Sequence, residues 1–164
     1  MTDTTPTESN LSGLDRKDFQ KNINSRKTDL YILKNAQGME VAVTNYGCAI
    51  LSIMVPDKNG KFANVILGHD SIEHVINSPE PFLSTTIGRY GNRIANGKFT
   101  LYGEEHQLTV NNGPNSLHGG PTGFHARVWD AVQPNESTVI FNYTSADGEE
   151  GFPGTLEVEM TYRL

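Results

Sequence analysis

Between Gly88 and Gly123 the chain gathers eight of its sixteen glycines around arginine, asparagine and histidine. The stretch reads Ile87-Gly88-Arg89-Tyr90-Gly91-Asn92-Arg93-Ile94-Ala95-Asn96-Gly97. After a hairpin it continues Asn111-Asn112-Gly113-Pro114-Asn115-Ser116-Leu117-His118-Gly119-Gly120. Glycine lets a backbone take turns closed to other residues and lets ligands approach closely. Guanidinium and amide donors bridge neighbouring hydroxyls, and an imidazole donates, accepts or transfers a proton near neutral pH. Such a set suits a polyhydroxylated ligand. A third glycine group, Asp147-Gly148-Glu149-Glu150-Gly151-Phe152-Pro153-Gly154, is rich in carboxylates. On spacing alone each has a plainer reading. Arg89 beside Tyr90 fits a surface stacking pair, His118 a hydrogen-bonded turn residue, and the acidic loop a solvated turn between strands.

Other chemistries find no support. The sequence has no G-x-x-x-x-G-K-[ST] phosphate loop and no G-x-S-x-G nucleophile elbow. His118 and His125 lack zinc-ligand spacing, and Cys48, the single cysteine, can form neither an internal disulfide nor an all-cysteine metal site. No metal or other cofactor is expected. Thirteen basic against nineteen acidic residues leave a net charge of −6, which argues against a general nucleic-acid surface. Apolar runs such as Val65-Ile66-Leu67 are far too short to span a membrane. Met1 to Asn10 carries no apolar stretch of the secretory kind, so a cytoplasmic location is expected.

The glycine loops need a scaffold, and the surrounding sequence is written in short strands. Leu30 to Leu33 is followed by a turn at Asn35 to Gly38, and Met39, Val41 and Val43 then alternate with Glu40, Ala42 and Thr44. Ile50 to Val55 precedes the turn Pro56-Asp57-Lys58-Asn59-Gly60, where Asn-Gly tolerates positive φ, and a strand is expected at Val65 to Leu67. Ser71 to Asn77 reads as one short helix stopped by Pro79 and Pro81. Strands are expected again over Phe82 to Ile87, Lys98 to Tyr102, His106 to Val110, Arg127 to Val132 and Thr138 to Thr144. Leu156, Val158, Met160, Tyr162 and Leu164 alternate strictly with polar residues, the period of a half-buried antiparallel strand. The class is therefore all-β, a sandwich or barrel. Residues 1–27 read as a polar tail (Met1 to Leu14) and a lead-in of little periodicity. Residues 28–164 read as one domain. The apolar alternation continues to Leu164 without a turn, so the expectation is a fold truncated part-way, with a final strand that lacks a neighbour on at least one side.

At the glycine loops the sequence is similar to a known family. Thr44-Asn45-Tyr46-Gly47, Val55-Pro56-Asp57, Leu67-Gly68, Gly88-Arg89-Tyr90, Asn92-Arg93-Ile94-Ala95, Asn115-Ser116-Leu117-His118-Gly119-Gly120 and Asp147 to Gly154 occur in family order and spacing. From about Asp29 to Leu164 the chain resembles the N-terminal half of the aldose 1-epimerases, or galactose mutarotases. The resemblance implies an antiparallel β-sandwich of the galactose mutarotase type, truncated after about half the fold. It also implies interconversion of the α and β anomers of free hexoses such as galactose and glucose. Ring opening there requires a base for the anomeric hydroxyl and an acid for the ring oxygen, with no cofactor. Carried over by motif, Asn92 and Arg93 bind substrate hydroxyls, and His118 is the catalytic imidazole near the reacting end. The family's acid, a second histidine in an Asn-His-[Ser/Thr]-[Tyr/Phe] segment, has no counterpart here. Neither has its base, a glutamate near the C-terminus, nor a sugar-binding aspartate. The expectation is that this chain supplies the hydroxyl-binding half and is inactive alone. Its partners would be a small sugar, with no nucleic acid or membrane, and either a C-terminal half on another chain or a second copy joined through the open strand edge. Two alternatives remain open. One is a non-catalytic carbohydrate-binding sandwich. The other is a sugar-phosphate epimerase, which would need a basic cluster that Arg89, Arg93 and Arg127 are too scattered in sequence to suggest.

Overall fold

The structure, a computed structural model, describes residues 10–164, so residues 1–9 of the expected tail lie outside the described residues. In chain order the strands are β1 (Asn22–Ile23), β2 (Arg26–Lys27), β3 (Leu30–Lys34), β4 (Glu40–Thr44), β5 (Ile50–Pro56), β6 (Phe62–Asn64), β7 (Arg93–Ile94), β8 (Lys98–Leu101), β9 (Glu104–Gln107), β10 (Ser116–Leu117), β11 (Asp130–Asn135), β12 (Thr138–Ser145) and β13 (Leu156–Arg163). One short helix, α1, covers Ile72–Ile76. It is capped by Ser71, whose hydroxyl accepts from the His74 amide, and it ends at Asn77 ahead of the prolines. All strand pairings are antiparallel.

Two sheets carry the fold, β3-β4-β5-β6 and β11-β12-β13. Alternation decides their facing sides. Leu33, Val41 and Val43 of the first sheet join Val139 and Phe141 of the second in one buried cluster that includes Phe124 and Trp129. Val158, Met160 and Tyr162 of β13 pack against the same cluster, as their period requires. Cys48 is buried there too, and burial pushes its thiol pKa up, which removes it as a nucleophile. The opposite face of the four-stranded sheet is also covered: Leu30, Ala42 and Leu51 pack with Ile72 and Val75 of α1 and with Phe19. Phe19, 0% exposed, sits on a single 3-10 turn (Arg16–Phe19) in a segment that shows no period in the sequence. Its burial ties that segment to the core.

Asn45 explains one of the sequence motifs. The side chain is buried, accepting from the Asp29 amide at 2.8 Å and donating to the Lys27 and Trp129 carbonyls at 3.1 and 2.9 Å. The Trp129 amide returns a bond to the Asn45 carbonyl at 2.8 Å. One amide side chain thus joins the start of β3 to the strand entering the second sheet, with all its polar atoms satisfied.

Two expected strands are replaced by other structure. Val65 to Leu67 lies beyond β6, because the Asn64 side-chain oxygen accepts from both the Ile53 and Ile66 amides and ends the ladder. Phe82 to Ile87 begins as a turn, with Ser84 at φ +55°. Its backbone bonds run locally or across to Gly47 and Ile50, not along a paired strand.

Candidate functional site

The two glycine-rich loops meet, and glycine is the reason. A Cβ on Gly119, whose φ is +89°, would stand 1.8 Å from the Gly88 carbonyl oxygen. A Cβ on Gly88 would overlap the Phe124 ring at 2.2 Å. With both side chains absent, the Phe124 amide reaches the Gly88 carbonyl at 3.2 Å and the loops lie against each other. The short β7–β10 ladder then sets Arg93 opposite Leu117 and Ile94 opposite Ser116.

One step further along, Asn92 and His118 clasp one another. The His118 amide donates to the Asn92 carbonyl at 3.0 Å, and the Asn92 amide donates to His118 Nδ1 at 2.9 Å. Both residues hold positive φ, +65° and +54°, in a region where Asn and His are the better-tolerated side chains. A nitrogen that accepts carries no proton, so in the neutral ring the proton is on Nε2 and the imidazole presents an N–H donor. Arg93 Nε donates to Asn112 Oδ1 at 2.8 Å and Nη1 to Asn92 Oδ1 at 3.2 Å. Arg93 is exposed, and its Nη2 makes no hydrogen bond among the described residues. Asn111 braces the rim by exchanging hydrogen bonds with the Leu117 amide and carbonyl at 2.7 and 3.0 Å. The structure therefore brings the three sequence-marked residues, Asn92, Arg93 and His118, to one rim.

Two participants were not marked by the sequence. Asn112, present in the second glycine-rich stretch but not singled out there, orients the guanidinium. Phe82 lies edge-on to His118 at 4.8 Å and to His125 at 4.5 Å, with interplanar angles of 65° and 61°. No local signal marks Phe82, since its run reads as a strand.

The remaining charged groups are committed elsewhere. Arg89 donates to Ser145 Oγ, the Ser145 carbonyl, the Ala146 carbonyl and the Pro153 carbonyl at 2.8–3.0 Å. Glu149 accepts from Tyr143 OH at 2.5 Å and Ser145 Oγ at 2.8 Å, and Arg127 stands 3.4 Å away. Burial and the Glu149 bond push the Tyr143 pKa up to about 12. Glu150 accepts from the Thr122 amide at 2.9 Å and from its hydroxyl. The acidic loop is a bracket over the glycine loops, and its glutamates are occupied in holding it. His125 is 5% exposed, and burial pushes its pKa down to about 4, so its ring is neutral at neutral pH. Among the described residues Arg89, Arg93 and Arg127 share no hydrogen-bond partner. Among the described residues no group of three or more His, Cys, Asp or Glu is placed to hold a metal ion, and no helix is long and apolar enough to cross a membrane.

A family model for aldose 1-epimerase matches residues 29–164. The chain belongs to the aldose 1-epimerase family. This family member is 42% identical over 126 residues to the galactose mutarotase of Bos taurus, covering 77% of the chain and 36% of that relative. It is 42% identical over 135 residues to the aldose 1-epimerase of Escherichia coli, covering 82% of the chain and 39% of the relative. Among solved structures, an aldose epimerase homologue from C. elegans superposes with a TM-score of 0.79 at 31% identity over 84% of this chain. A galactose 1-epimerase from Lactobacillus acidophilus superposes with a TM-score of 0.76 at 30% identity over 88%. The fold is the antiparallel sandwich of this family. The chain spans 36–39% of the length of these curated relatives and 42% of each of these solved chains.

Proposed function

We propose that this chain supplies the sugar-binding rim of an aldose 1-epimerase, an isomerase that interconverts the α and β anomers of a free hexose such as galactose or glucose. The observation that carries the reading is the Asn92–His118 clasp beside Arg93. It sets an amide side chain, a guanidinium and an Nε2–H donor on one rim, with backbone bonds fixing their spacing. Asn92 and Arg93 bind ring hydroxyls, and His118 donates toward an oxygen at the reacting end as the ring opens. Donors already aimed at the developing charge need no reorganisation in the transition state. The acid and base that move protons in this reaction are not drawn from His125, Glu149 or Glu150, because burial or hydrogen bonding already occupies all three.

Polarimetry of freshly dissolved α-galactose tests the proposal. The chain alone is expected to leave mutarotation at its spontaneous rate, because positioned proton transfer is worth roughly 10²–10⁴-fold and this chain brings no free acid–base pair to the rim. Supplied with the remaining part of an aldose 1-epimerase as a second chain, it is expected to accelerate the change. Arg93→Ala then weakens transition-state binding by about 2–4 kcal/mol, and His118→Asn lowers kcat more than it raises KM. Acceleration that survives both substitutions, or a stable two-chain complex without acceleration, would overturn the reading. Galactose binding that is lost in Arg93→Ala without any catalysis would identify a carbohydrate-binding module instead.

A further inference from the structure

The rim has a feature that hydroxyl binding does not use: a phenylalanine in contact with two imidazoles. Phe82 meets the rings of His118 and His125 edge-on, 4.8 and 4.5 Å away. It is half-buried, on a turn pinned at several points. The Leu83 amide donates to the Glu80 carbonyl at 3.0 Å, the Ile50 amide to the Ser84 carbonyl at 2.9 Å, and Ser84 Oγ to the Leu67 carbonyl at 3.1 Å. Phe82 is therefore anchored to β5 and the segment after β6, not to the glycine loops that carry His118.

We propose that Phe82 is a positioning residue that, with the Asn92 amide, holds His118 in the Nε2–H tautomer. An imidazole has two broad orientations about its Cβ–Cγ bond. Turning it over would take Nδ1 away from the Asn92 amide and leave that donor unpaired. The hydrogen bond selects one orientation, and the Phe82 ring, its centroid 4.8 Å from that of His118, packs against the imidazole in that orientation. His125, nearly buried and 4.5 Å from the same phenylalanine ring, packs against Phe82 as well. The result is a donor whose direction is settled before substrate arrives, the condition under which small misplacements become costly. The importance of this for turnover rests on the epimerase reading above, but the positioning itself does not.

The test uses the purified 164-residue chain and long-range ¹H–¹⁵N correlation spectra of its histidines. The expected wild-type spectrum shows His118 with its proton on Nε2 and an unprotonated Nδ1, in a single orientation. Phe82→Ala is expected to give a mixture of tautomers at His118 while backbone amides distant from the loop keep their shifts. Phe82→Tyr, which keeps the ring, restores the single tautomer. In the two-chain enzyme Phe82→Ala lowers kcat about tenfold with little change in KM. A wild-type His118 protonated on Nδ1, or a single Nε2–H tautomer persisting in Phe82→Ala, overturns the proposal. If Phe82→Ala does not fold, Phe82→Leu removes the aromatic edge while retaining an apolar side chain, and an unchanged His118 signature in that variant overturns it equally. A correct tautomer in a complex that does not accelerate mutarotation refutes the epimerase reading and leaves the positioning role intact.

Discussion

Lowering the pH from about 7.5 to about 5 removes stability from this chain through His125. The ring is 5% exposed and packed against Phe82, and its Nδ1 has no hydrogen-bond partner among the described residues. Burial, and after it the neighbouring His118, lowers its pKa from 6.5 to about 4, with Glu150 and the Pro121 carbonyl opposing. The unfolded chain takes up a proton on this imidazole near pH 6.5, and the folded chain does so only near pH 4. Between those values the unfolded state binds more protons, so stability falls as the pH falls. The contribution is complete above 6.5 and is lost progressively down to about 4. At 1.36 kcal/mol per pKa unit the whole interval is worth about 3 kcal/mol, of which about 2 kcal/mol is gone by about pH 5. The assay is urea unfolding of wild type and His125→Asn at both pH values. The variant starts less stable but loses about 2 kcal/mol less than wild type across the interval. Parallel losses in the two proteins would refute the argument, because the pH dependence would then belong to other groups.

Two further outcomes follow from the loops. Arg89→Ala strips hydrogen bonds from three carbonyls and the Ser145 hydroxyl and is expected to cost about 2–4 kcal/mol, with faster amide exchange across residues 147–154; stability within experimental error of wild type would show that the bracket is dispensable. Gly119→Ala forces a Cβ to 1.8 Å from the Gly88 oxygen at φ +89°, so the glycine loops should separate, with about 3 kcal/mol or more lost and the Asn92 amide resonance displaced. An unmoved Asn92 resonance in a folded Gly119→Ala protein would show that the loops are held together by other contacts.

The antiparallel β class, the turn at Asn59-Gly60, the short helix and the inward face of β13 are legible in the sequence because each is a local property. A period of two states which side of a strand meets the core whatever that core contains. The crowding of glycine with Arg93 and His118 is legible as composition for the same reason. What those residues touch is not local. The Gly88–Gly119 approach joins positions far apart in the chain, and only the folded backbone shows that a Cβ has no room there. Phe19 has no periodic neighbours, and its burial comes from α1 and the far face of the four-stranded sheet. Phe82 to Ile87 has the composition of a strand, but its backbone bonds go to Gly47, Ile50 and its own turn. Glu149 and Glu150 read as a solvated acidic turn until Tyr143, Ser145, Arg127 and Thr122 arrive from other segments to engage them. Residue type and spacing determined which groups were available and which face of each strand was apolar. Tertiary structure alone decided which groups were consumed as hydrogen-bonded braces and which were left exposed at the rim. A donor's partner is chosen by proximity through space, and sequence order does not encode that distance.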